Sequence, residues 1–187
     1  MDGSAPMNTG SASSAAAEGF QTAVNIMMEG IMRPATGYPD VDFVKIMISH
    51  HEGAVAMAKV EKQFGKDKIL LSLADSIINT QEKELMFFKD WLRQQDQSAM
   101  QILPDANKAN YAAMLTMMKN MTVSYTGKAD ADFANGMIPH HQGGIDMAKV
   151  VLQFGKDAEV RKLAETAISV QSAEISSLKD WLAKAAP

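Results

Sequence analysis

Apolar positions recur every three or four residues from about residue 16 to residue 184, and this helical period runs almost unbroken. Strand signals, meaning alternating β-branched runs closed by turn dipeptides, are missing, so the chain reads as all-α. A first helix is predicted over about Ala16–Met32, with Phe20, Val24, Met27, Met28 and Ile31 on one face. Pro34, Gly37 and Pro39 break it. A second helix over about Asp40–Phe64 ends at Gly65, and a third covers about Lys66–Gln95. The short Gln95–Pro104 connection leads to a fourth helix over about Asp105–Val123. A fifth follows over about Asp130–Phe154, stopped by Gly155, and a sixth over about Lys156–Lys184.

Two stretches of this pattern are copies. Asp40–Leu92 aligns on Asp130–Leu182 without a gap, with 26 identities in 53 positions. The shared signature is D-x-D-F-x-x-x-M-I-x-H-H-x-G-x-x-x-M-A-K-V-x-x-Q-F-G-K-D, then Q-x-x-E, then K-D-W-L. Each copy is a helix–Gly–helix hairpin whose apolar stripe it cannot bury alone. The two hairpins are therefore expected to form one four-helix core about a pseudo-twofold axis, with the preceding helices laid over it. Two independent lobes are the alternative.

Residues 18–186 read as one helical domain. The Ser, Ala and Gly-rich stretch over residues 1–17 is expected to be a flexible leader, and it has neither the basic nor the apolar segment of a signal peptide. No apolar run is long enough to span a bilayer. The net charge of −4 leaves no electrostatic footprint for nucleic acid. Cysteine is absent, which removes thiolate metal sites and cysteine nucleophiles and suits an oxidising compartment. Methionine is in excess: its 15 copies outnumber all aromatic residues together.

The four histidines are confined to two adjacent pairs, His50-His51 and His140-His141, at matching positions of the repeat. At about 100° per residue, His50, His51, Met47, Ala54, Met57 and Phe43 fall on one face about 120° wide, the side that faces the core. His140, His141, Met137, Gly144 and Met147 repeat it. The stripe of the following helix carries Gln81 and Glu84 in the first copy and Gln171 and Glu174 in the second. A carboxylate on an apolar stripe is costly without a partner, and the facing imidazoles are the obvious ones, with the glutamates orienting the rings. One ring of each pair is expected to ligate metal while the other bonds the glutamate.

Gly53 and Gly143 are expected to allow close helix approach beside the imidazoles, and Pro139 to kink the fifth helix. The flanking helices add Met27 and Met28 in the first copy, and a stripe of Met114, Met117, Met118 and Met121 in the second. Imidazole with thioether is a soft to borderline set that favours Cu(I), with Ag(I) as its mimic, while Cu(II) suits the imidazoles alone. The Glu-x-x-His pattern of a di-iron carboxylate site is missing, since Met47, Ile48, Met137 and Ile138 stand where the acids would be. No nucleophile or substrate pocket is legible, so the chain reads as a binder and not an enzyme. A helical interaction protein with purely structural His–Glu contacts is the competing reading. Because imidazole at its ordinary pKa competes with metal for protons, histidine-rich sites are expected to weaken below about pH 6.

The paired M-I-x-H-H-x-G-x-x-x-M-A segments, each followed by Q-x-x-E and a W-L ending, resemble a domain-of-unknown-function family of exported helical proteins, nearest to its cyanobacterial copper-binding branch. The likeness covers the chain from about Phe20 onward. It implies a ferritin-like four-helix bundle, a periplasmic or extracellular location, and copper binding linked to copper tolerance. On the matching positions it implies His50, His51, Met47, Met57, His140, His141, Met137 and Met147 as metal-site residues. Metal ions and a copper efflux or delivery protein are the expected partners.

Overall fold

The computed structural model describes residues 9–95 and 101–185, and among these it contains six helices and no strand: α1 (Thr9–Ile31), α2 (Pro39–Phe64), α3 (Lys68–Arg93), α4 (Pro104–Asn120), α5 (Ala129–Phe154) and α6 (Ala158–Ala185). The all-α expectation is met. Each hairpin packs on itself, α2 on α3 and α5 on α6, and the hairpins meet through α2 and α5. α1 lies against α2 and reaches α5, and α4 lies against α5. One apolar cluster runs through the molecule, from Phe20 and Met27 on α1 through Met47 and Phe43 to Phe133, Met137 and Leu178.

The D-x-D at the start of each repeat joins the two halves. The Asp40 carboxylate accepts from the backbone N–H groups of Lys156 and Asp157, at the turn of the other hairpin. Asp130 does the same for Lys66 and Asp67, at 2.9 and 2.8 Å. Asp67 then caps α3 from its own side chain, as Asp157 caps the start of α6. The second aspartates, Asp42 and Asp132, are buried and fold back on the loops before their helices, accepting from Thr36 and Gly37 and from Thr126 and Gly127. Gly37 and Gly127 sit at φ of 90° and 82°, where an L side chain is strained.

The predicted ends of α1 and α4 need correction. α1 begins at Thr9 and not near Ala16, so residues 9–17 are helical, while residues 1–8 of the expected leader lie outside the described residues. The stretch is rich in alanine, the best helix former, and Ala16 is already buried in the common core. α4 stops at Asn120, leaving Met121 as its C-cap and not a member of the helix. Gly65 and Gly155 do close α2 and α5, but with extended backbone and not in a left-handed cap. They are needed for space: a Cβ on Gly155 would run into the Asp40 carboxylate, and one on Gly65 into Glu61. α5 continues through Pro139 without interruption. Residues 96–100 of the expected linker lie outside the described residues.

Candidate metal centre

His50 and His51 are adjacent on α2 and diverge, because successive helical side chains point about 100° apart. Their ring centroids are 5.9 Å apart, and both rings are buried. His50 points across the hairpin interface. Its Nε2 donates to the backbone carbonyl oxygen of His140 at 2.8 Å, and His140 Nε2 donates to the carbonyl oxygen of His50 at 3.1 Å. The two rings lie face to face, tilted by 39°, with centroids 3.8 Å apart. His51 turns the other way, onto α3, where its Nε2 meets Glu84 Oε2 at 2.7 Å and its ring meets the edge of Phe88. His141 faces Glu174 on α6 at 2.8 Å, though off the line of a good hydrogen bond.

The Nε2 partners of His50, His51 and His140 are oxygens that only accept, so those three Nε2 atoms carry a proton. The other ring nitrogen, Nδ1, is buried and without a partner in all four histidines. Three Nδ1 lone pairs therefore face the interior unused, on rings whose orientation is already fixed by the Nε2 bond. An imidazole held through its N–H to a carbonyl or carboxylate is the arrangement metal-bound histidines ordinarily show. Burial pulls the pKa of His50 from 6.5 to about 3, helped by the neighbouring His51. His140 is pulled well below its ordinary value, by burial first and then by His50. Those two nitrogens stay free of protons far below neutral pH.

No three His, Asp or Glu side chains among the described residues converge on one point. Methionine sulfur is the soft donor nearest in sequence to the histidines. The stripe methionines Met47, Met57, Met137 and Met147 are all fully buried beside the histidines in sequence and in the same core. Met27 and Met117 reach α2 and α5 from the flanking helices. A Cβ on Gly53 would stand 2.8 Å from Met27 Cβ, and one on Gly143 would collide with Met117 Cγ and Sδ. These glycines thus allow the close helix approach that the sequence suggests, and the side chains they make room for are thioethers. The imidazole is accommodated by Gly144, whose added Cβ would lie 2.8 Å from His50 Cε1 and 2.5 Å from Gln171 Oε1.

Met28, Met114 and Met118 are half-buried, and Met121 is buried at the end of its helix. Gln81 and Gln171 are buried, each with an unpartnered Oε1. One contact was not legible in the sequence. Tyr125 lies in the loop before α5, and a Cβ on Gly136 would meet both its hydroxyl, at 3.0 Å, and the methyl end of Met57, at 2.7 Å. Burial and then Asp132 push its pKa up to about 12. Only the loop position of Tyr125, outside any periodic stripe, hid it.

Residues 40–182 match the family described as a domain of unknown function, DUF305. The chain belongs to the DUF305 family. Among solved structures it is similar to CopM in a silver-bound form, at 30% identity and a TM-score of 0.61, over 80% of this chain and 98% of that one. The Cu(I)-bound form of CopM matches at 30% identity, TM-score 0.60, over 79% and 98% of the two chains. A Cu(II)-bound form is similar as well. A DUF305 fragment from Deinococcus radiodurans is 25% identical, with a TM-score of 0.57, over 81% of this chain and 99% of the fragment. An uncharacterized protein of Acanthamoeba polyphaga mimivirus is 38% identical over 53 residues, which is 28% of this chain and 35% of that relative. No helix of the DUF305 fold described here is long and apolar enough to cross a membrane.

Proposed function

We propose that this protein binds copper through its buried histidines and methionines, sequestering or buffering it outside the cytoplasm in support of copper resistance. The observation that carries the reading is the set of four buried, unpartnered Nδ1 atoms, three of them aimed by Nε2 bonds, within a core of fully buried methionines. A neutral imidazole with thioethers is a set for Cu(I), with Ag(I) as its surrogate, and Cu(II) uses the imidazoles. CopM, solved with Cu(I), Cu(II) and silver, supports the choice of metal. The ligands proposed are Met47, His50, His51 and Met57 with Met137, His140, His141 and Met147. Met27, Met28, Met114, Met117, Met118 and Met121 add thioethers, and Glu84, Glu174, Gln81 and Gln171 orient the rings. The role is binding and not catalysis. A copper efflux or delivery protein is the proposed partner, and a periplasmic or extracellular setting suits a chain without cysteine.

One observation favours a second reading. The His50–His140 stack satisfies both Nε2 atoms within the protein, so it also serves as a structural lock between the hairpins. Titration with Cu(I), Ag(I) and Cu(II), followed by native mass measurement, separates the two. Metal uptake that falls in His50→Ala with His140→Ala supports ligation. Uptake unchanged in that variant leaves the histidines as structure.

A further inference from the structure

The flanking helices carry a methionine outside the repeat pattern. Met32 follows the end of α1, has threonine (Thr122) at the matching position of the second copy, and is 59% exposed. It lines a cavity of about 150 Å³ between the end of α1 and one face of α4. Across that cavity stand Asn107, Asn110 and Met114, which helical spacing places on a single face of α4. Met32 and Met114 are thus two thioethers on one cavity, one open to solvent and the other half-buried.

The amides between them are unsatisfied. Asn110 is only 4% exposed and its Oδ1 has no partner, and the Asn107 Oδ1 is likewise buried and unpaired. An orphaned buried carbonyl oxygen costs free energy unless something in the cavity meets it. Its negative end favours a cation, or the water a cation carries. Ile31, Ile46 and Tyr111 make the remaining walls apolar, which suits a weakly hydrated soft ion. Arg33 lines the rim and is exposed, so its charge is largely screened by solvent.

We infer that this cavity is a surface loading port for a monovalent soft metal ion, Cu(I) or Ag(I), held by Met32 and Met114 before it passes to the buried sites. The inference rests on the proposed copper reading and adds to it a way in. The core methionines and histidines are sealed from solvent, so an ion needs an accessible first stop. Two thioethers without a thiolate hold such an ion weakly enough to release it inward. Thioethers do not protonate, so the port works across the pH range of an exported protein.

The test uses the full chain with methionine methyl groups labelled for NMR, titrated with Ag(I), together with native mass measurement. The earliest additions should shift the methyl signals of Met32 and Met114 before those of Met47, Met57, Met137 and Met147. In Met32→Leu with Met114→Leu, bound Ag(I) should fall by one ion per chain. Without the first stop, silver should appear at the core methionines severalfold more slowly than in the parent. Met86→Leu is the control, because Met86 is a lone exposed thioether on α3 at 63% exposure, and it should change neither readout. Core shifts that precede any change at Met32 or Met114, or a double variant that loads like the parent, would overturn the port while leaving copper binding intact. Failure of the unaltered chain to take up Ag(I) at all would sink both.

Discussion

His50 and His140 exchange hydrogen bonds through each other's backbone, ring nitrogen to carbonyl oxygen at 2.8 and 3.1 Å, and so stand on the pseudo-twofold axis of the molecule. The same two residues hold the hairpins together and present lone pairs to the core. Truncating either should therefore disturb stability and metal binding together. His50→Ala opens a cavity at the α2–α5 crossing and removes the Nε2–H that the His140 carbonyl oxygen accepts, a cost of about 3 kcal/mol from packing and the lost bond. Urea unfolding of the metal-free variant measures it. A change below about 0.5 kcal/mol would show that the stack contributes little.

The glutamates should act on metal through the rings and not directly. In Glu84→Gln with Glu174→Gln, the amide can donate or accept, so His51 and His141 lose the partner that fixes Nε2 as the protonated nitrogen. Cu(I) affinity should fall by roughly 10–100-fold with stoichiometry retained. Competition with a chromophoric chelator reads this out. Loss of a whole ion per chain would instead make the carboxylates ligands.

Acid acts on the metal-free protein through His50 and His140. Both have folded pKa values below the ordinary 6.5, near 3 for His50, so the unfolded chain binds protons that the folded one refuses. Their contribution is fully present above pH 6.5 and is lost as pH falls from there towards 3. The urea midpoint should drop over that window, and His50→Gln with His140→Gln should flatten the slope. The same burial moves proton competition for metal at these two nitrogens well below the pH 6 that an ordinary histidine implies. Ag(I) held by thioethers should persist at lower pH than Cu(II) held by imidazole.

Glu61 sets the alkaline limit. It is fully buried, and burial, then the facing Asp130, raises its pKa to about 8. The folded state keeps a proton that the unfolded state releases above about pH 4.5. Stability is therefore complete below that value and declines as pH rises through 8. The second repeat has Val151 at this position, beneath its own Gly155 turn. Glu61→Val should stabilise the protein at pH 9 by about 2 kcal/mol, or about 4–8 °C in Tm for a chain of this size. At pH 4.5 the gain should shrink. A pH-independent effect would mean that Glu61 titrates normally.

Gly143→Ala tests the thioether packing. Helix propensity alone would favour alanine by about 1 kcal/mol. The added Cβ meets Met117, so overpacking should win and destabilise by about 1–3 kcal/mol. Met117→Ala is itself costly because Met117 is buried, but in that background Gly143→Ala should cost less than in the parent, since only the Met117 Cβ contact at 2.9 Å remains. Thermal unfolding of the single and double variants decides it.

The helical period, the duplication and the His–Glu pairing were legible in the sequence because each depends on spacing along one helix or between two copies of it. A residue three or four places on lies on the same face whatever surrounds the helix. Hence His51 found Glu84, and His141 found Glu174. What the sequence could not give was the direction each side chain takes between helices. Periodicity put His50 and His51 on one broad stripe, and only the crossing of α2 over α5 sent His50 to His140 and His51 to α3. Composition made residues 9–17 a leader, while the structure makes them the start of α1 and buries Ala16 in the core. The D-x-D motif was visible as a repeat, yet Asp40 caps a turn 116 residues away. Spacing is a property of the chain; which surfaces meet, and so which lone pairs are left unpartnered, is decided only when the two hairpins pack.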